Sequence, residues 1–109
     1  MSTPALPEHY QSDAWLLLGM TRSRAGTLEY RGGRVIYTDE VGLVFDVELS
    51  ELTDVRFPWY YFCGGVKFTL GREHYRLSFV RPNDASGGGE IGAGLRAGKI
   101  WKSILLRRP

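Results

Sequence analysis

Residues 26–48 read GTLEYRGGRVIYTDEVGLVFDVE, and the alternation in this stretch decides the fold class. Leu28 and Tyr30 fall on one side of an extended chain, with Thr27, Glu29 and Arg31 on the other. Gly32-Gly33 then offers the left-handed backbone of a tight hairpin turn at no steric cost. Arg34 to Thr38 returns as a second β-rich run, and Asp39-Glu40-Val41-Gly42 turns the chain again. In Leu43 to Glu48 the alternation is complete: Leu43, Phe45 and Val47 face one way, Val44, Asp46 and Glu48 the other. Period-two patterning of this kind belongs to half-buried antiparallel strands.

The same punctuation extends on both sides. Upstream, Ala14 to Met20 reads as a first strand and Gly26 to Arg31 as the second, after a loop holding Arg22-Ser23-Arg24. Downstream, Leu49-Ser50-Glu51-Leu52 reads as a connection, followed by a fifth strand from Val55 to Cys63. Pro58 within it places that strand at an edge or a bulge. Gly64-Gly65 turns into Val66 to Leu70, and Gly71-Arg72 into His74 to Val80. After Pro82 comes a glycine-rich loop, 83–89, and then the period changes from two to about 3.6. Ala93, Ala97, Ile100, Trp101, Ile104 and Leu105 form one stripe of a helix over about 92–107, with Arg96, Lys99 and Ser103 opposite. Gly92, Gly94 and Gly98 weaken its early turns by roughly 1 kcal/mol each relative to alanine.

Composition bounds the rest. A chain of 109 residues with 43% hydrophobic and 24% charged residues makes one globular domain, here residues 14–109 behind a flexible arm, 1–13. A single cysteine excludes an internal disulfide and any multi-cysteine metal site, and two histidines would need carboxylates to complete a zinc site. No metal and no cofactor are expected. The apolar run Ala14 to Leu18 is too short for a secretory signal or a bilayer span, so a cytoplasmic protein is expected, one that can sit peripherally at a membrane.

Seven antiparallel strands followed by one amphipathic helix resemble the pleckstrin-homology-like (PH-like) superfold, in particular its short bacterial forms and the GRAM branch. The resemblance covers about Ala14 to Leu106. It rests on Gly26-Thr27-Leu28, on Arg34-Val35-Ile36-Tyr37-Thr38 after a tight turn, on the run LVFDVELSELTDVRF, and on a terminal helix carrying Trp101. It implies a mainly β fold: a seven-stranded barrel or orthogonal sandwich capped by the helix, its core built on Leu28, Tyr37, Phe45, Val47, Phe68, Leu77, Phe79, Trp101 and Ile104. The superfold hosts phosphoinositide binders, peptide binders and scaffolds, so fold alone assigns no function.

Two groups of residues carry the functional expectation. Phe57, Trp59, Tyr60, Tyr61 and Phe62 put five aromatics in six residues, so both faces of that strand are apolar and one must meet the helix, a second copy, a partner peptide or lipid headgroups. Arg22 and Arg24 match the basic-any-basic ending that the first loop carries in phosphoinositide-binding members, although the lysine expected upstream is missing. Arg31 and Arg34 flank the next turn and would add to an anion site if the loops converge. The plainer role of these arginines is to solvate a turn. Six acids and no base between Val35 and Val55, against five bases and no acid from Ile91 onward, would orient the domain at an anionic surface or steer self-association. Cys63 and His74 are the one pair resembling nucleophile and base, with no third group to orient them. The run Gly87-Gly88-Gly89 lacks the lysine and hydroxyl residue of a phosphate loop, and the acidic middle opposes nucleic acid.

The expectation is therefore a non-enzymatic binding module, acting on a protein partner or on itself as a homodimer through the aromatic strand. The alternative is weak contact with an anionic membrane or phosphoinositide through the first loop and the helix.

Overall fold

A computed structural model describes residues 8–19, 22–58, 64–82 and 88–106, the last stretch with side chains from residue 92. The strands are β1 (His9–Leu18), β2 (Arg22–Arg31), β3 (Arg34–Asp39), β4 (Leu43–Glu48), β5 (Leu52–Arg56), β6 (Gly65–Leu70) and β7 (Glu73–Ser78). A 3₁₀ turn, Leu49–Glu51, joins β4 to β5, and one helix, α1 (Gly88–Leu106), follows the sheet. The strands form a single antiparallel sheet in the order β4-β3-β2-β1-β7-β6-β5.

The alternation read from the sequence sets which side is buried. Ala14, Leu16, Leu28, Val35, Tyr37 and Phe45 point inward from the first half of the sheet. Leu52, Val66, Phe68, Leu77 and Phe79 do so from the second. The halves face each other: the Phe45 ring on β4 lies 5.8 Å from Phe68 on β6 and 5.3 Å from Tyr75 on β7, both edge-on. Trp101, Ile104 and Leu105 of α1 fill the open end and are fully buried. Of the expected core, eight residues are buried and Val47 is half-buried.

The sheet does not close into a barrel. No ladder joins β4 to β5 among the described residues, and each edge is occupied or distorted. At β4, Arg34 Nη2 donates to the Asp46 main-chain oxygen at 3.0 Å, and the Glu48 N–H donates to the Glu51 carboxylate at 2.8 Å. At β5, the register slips between Thr53 and Arg56, and Asp54 adopts φ 54°. Side-chain capping and bulges are standard defences of a strand edge.

Several sequence boundaries move, among them the end of β7, which lies at Ser78 and not at Val80. Residues 9–13, expected in a flexible arm, belong to β1, where Tyr10 pairs with Tyr30 and Ser12 with Leu28. Arg22-Ser23-Arg24, expected in a loop, opens β2 opposite Leu18, Leu17 and Leu16. Among the described residues the fifth strand is Leu52–Arg56, starting before the expected Val55. Its register slips at Asp54 and resumes with Arg56 opposite Lys67, and the strand ends before Phe57 and Pro58, while 59–63 of the expected strand lie outside the described residues. The helix begins at Gly88, inside the stretch expected as loop. Its buried stripe runs through Gly94, Ala97, Gly98, Trp101, Ile104 and Leu105. Ala93 and Ile100, expected on that stripe, are exposed.

Candidate functional site

The expected sites fare unevenly. Phe57 and Pro58 are half-buried residues of the connection after β5, and 59–63, which hold the remaining aromatics and Cys63, lie outside the described residues. His74 is exposed on β7, with Nδ1 at 3.0 Å from Thr69 Oγ1. The four arginines split between the two ends of β2. Arg24 and Arg31 are seven residues apart, about 24 Å along an antiparallel strand, so they do not converge.

Three of the four are held by carboxylates. Arg24 Nη2 lies 2.7 Å from Asp39 Oδ2, whose side chain is 1% exposed. That oxygen has the guanidinium beside it without an aligned hydrogen bond. Arg31 donates to Glu29 at 2.7 Å, and Arg34 Nε to Asp46 Oδ1 at 2.8 Å. Glu29 also meets His9 Nε2 at 2.7 Å, and this contact first, with Arg31 second, holds its carboxyl below the usual range. Arg22 is exposed and forms no ion pair among the described residues.

A site that the sequence did not reveal lies elsewhere, where the sheet divides. β7 pairs with β1 only at Trp15–Ser78 and Leu16–Leu77. Past that point the Ser78 hydroxyl donates to the Val80 carbonyl and accepts the Val80 N–H. These local bonds compete with the ladder and turn the chain away from β1. Phe79 N–H instead bonds Gly64 O at 2.8 Å, so this segment stays with the β6 side. Among the described residues, the N-terminal half of β1 is left with a strand on one side only.

Helix α1 packs over the resulting fork. Trp101 stacks on Phe79 with centroids 6.3 Å apart and meets Tyr10 edge-on at 5.3 Å. Its indole N–H donates to Ser12 Oγ at 2.8 Å, and the Ser12 hydroxyl donates to the Asp13 carbonyl at 3.2 Å. A Cβ on Gly94 would stand 2.4 Å from the Phe79 carbonyl oxygen, so only glycine allows the helix this close. Gly94, which weakens the helix by propensity, is thus what seats it.

Between these elements runs a cleft of ≈ 500 Å³, within the usual size range of ligand sites. Tyr10, Ser12, Asp13 and Trp15 of β1 form one wall. Phe79 and Arg81 form the second, and Ala93, Gly94 and Ala97 of α1 the third. Burial raises the Tyr10 phenol above its usual value, so the hydroxyl is neutral at physiological pH and the fixed charges on the walls are Asp13 and Arg81. Neither forms an ion pair among the described residues. Two features of the sequence mark the walls once the fold is known: the period-two run Tyr10-Gln11-Ser12-Asp13-Ala14, and small residues at helical spacing over 93–98.

No group of three metal-ligating side chains occurs among the described residues, and no helix there is long and apolar enough to cross a membrane. No protein-family profile matches the chain, and no curated protein matches it.

Proposed function

We propose that this chain is a non-enzymatic, PH-like binding module that holds a segment of a partner protein in the cleft between β1 and α1. The observation that carries the reading is the fork itself. The cleft joins aromatic walls, small helical residues and one charge of each sign with no ion pair among the described residues, and this combination suits a mixed peptide surface better than a phosphate group. The commitment of Arg24, Arg31 and Arg34 to carboxylates supports the same ranking. The aromatic connection beginning at Phe57 would extend the contact or serve self-association.

The test is selection of linear peptides from a phage-displayed random library on the immobilised chain, with counter-selection on Ala93→Trp. Ala93 is exposed on the cleft wall, so the indole fills the cleft without entering the core. Peptides that bind the parent chain and not Ala93→Trp support the reading. Peptides that bind both equally, or none at all, reject it.

A second reading rests on the outer face of α1, where Ile100 and Leu106 are 38% and 46% exposed beside exposed Lys99 and Lys102. This pattern fits shallow contact with anionic lipid. Flotation with anionic vesicles, lost in Lys99→Glu/Lys102→Glu, supports it; no flotation at low salt rejects it.

A further inference from the structure

Resting on the cleft reading, the geometry points to a mode of binding: the partner segment adds to the sheet as an extra strand on the open half-edge of β1, under helix α1. The ladder determines which main-chain groups are open. Gly32 N–H donates to Glu8 O at 3.1 Å, and Glu8 and Gly32 stand in register with the β1–β2 pairs. Hydrogen-bonded pairs alternate along an antiparallel ladder. Tyr10, Ser12 and Ala14 therefore turn their main chain toward β2, and His9, Gln11 and Asp13 turn theirs away from it. Trp15, next in the outward series, is the residue that meets Ser78 of β7. The outward groups of His9, Gln11 and Asp13 continue that row with no strand beside them among the described residues; the Asp13 carbonyl has the Ser12 hydroxyl.

Comparison with the other edges singles this one out. The β4 edge is blocked at Asp46 and Glu48 by the chain's own side chains, and the β5 edge is bulged at Asp54. Among the described residues, the β1 half-edge alone pairs a regular row of main-chain groups with a cleft. An extended segment entering there takes the place that β7 leaves at Ser78. It gains main-chain bonds from β1, and its alternate side chains meet Tyr10 and Phe79 on the inner side. Asp13 on one wall and Arg81 on the other call for a segment with a basic residue and an acidic residue close together. The occupant is thus an extended peptide of mixed charge, not a helix, whose main chain has no hydrogen bonds to offer a strand.

The experiment uses the full chain and the peptides that survive the Ala93→Trp counter-selection. Each is resynthesised with N-methyl groups placed singly along its length, and binding is followed by amide chemical shifts. Strand addition requires a period-two result: methylation at alternate positions weakens binding roughly tenfold, while the intervening positions tolerate it. The shifts should centre on Gln11 and Asp13. Selection on Asp13→Lys/Arg81→Glu should return peptides with the charges exchanged. Peptides that bind in the cleft yet tolerate methylation everywhere, or lose binding at consecutive positions, overturn strand addition and leave the cleft reading standing. Failure to select any cleft-dependent peptide overturns both.

Discussion

Removing Trp101 tests whether the helix is part of the domain or an accessory to it. The side chain is fully buried, stacked on Phe79, edge-on to Tyr10, and bonded through its indole N–H to Ser12. Trp101→Ala leaves a cavity where the two halves of the sheet and the helix meet. Truncation of a buried tryptophan costs about 3 to 5 kcal/mol, and Ser12, which loses the indole donor but keeps its bond to the Asp13 carbonyl, adds little to it. Taking about 4 kcal/mol and a urea slope of about 1.5 kcal/mol per M, the unfolding midpoint falls by roughly 2.7 M. A domain of this size has about 5 to 15 kcal/mol in all, so the variant folds with little margin. Trp101→Phe separates packing from the hydrogen bond: it keeps most of the aromatic contact and should cost about 1 to 2 kcal/mol. Far-UV circular dichroism in urea is the assay, since tryptophan fluorescence changes with the mutation itself. A loss below about 1 kcal/mol for Trp101→Ala would refute the packing of α1 against β1 and Phe79.

Three further outcomes follow from the same geometry. Gly94→Ala forces its Cβ to within 2.4 Å of the Phe79 carbonyl, so it should destabilise by about 1 to 3 kcal/mol despite alanine's better helix propensity, as thermal unfolding would show. Gln11→Pro removes an outward N–H from the open edge and should cost under about 1 kcal/mol, whereas Thr27→Pro breaks the β2–β3 ladder and should cost about 3 kcal/mol or more. Comparable losses would contradict the ladder assignment. Glu29 has its carboxyl held below the unfolded value, so its pairing with His9 and Arg31 stabilises the fold above the unfolded value and is lost as pH falls through the folded one. Glu29→Gln should therefore lower stability by under about 1 kcal/mol near neutral pH, with the gap closing in acid; a gap that widens on acidification would contradict the pairing.

Much of this architecture is legible in the residues, for identifiable reasons. Gly32-Gly33 and the alternation of Phe45 to Glu48 report turn and strand directly, because one face of the strand is buried and the other is not. Leu43, expected on the face of Phe45, is 62% exposed and Val44 packs on the core, since the ladder slips between Tyr37 and Thr38. Trp101, Ile104 and Leu105 report the helix through their spacing. The start of β1 is harder to read, since its outward side chains are polar and Ser12 interrupts the apolar inner row to meet the Trp101 indole. Pro58 signals the end of the strand, yet the register already slips between Thr53 and Arg56, where Asp54 takes a left-handed backbone that aspartate tolerates but does not by itself announce. The start of α1 is masked by glycines that propensity counts against a helix, one of which, Gly94, packing against Phe79 requires. The cleft depends on a single hydroxyl, Ser78, turning one strand from its neighbour, which no local pattern announces.

Amide hydrogen exchange along β1 of the free chain tests the open edge most directly. The N–H groups of Tyr10, Ser12 and Ala14 face β2, and those of Gln11 and Asp13 face the cleft. The expected result is a period-two profile, with Gln11 and Asp13 exchanging far faster than the residues on either side and becoming slow when a selected peptide is bound. Uniform protection from Tyr10 to Ala14 in the free chain would show that this edge already has a strand beside it, and would contradict the account.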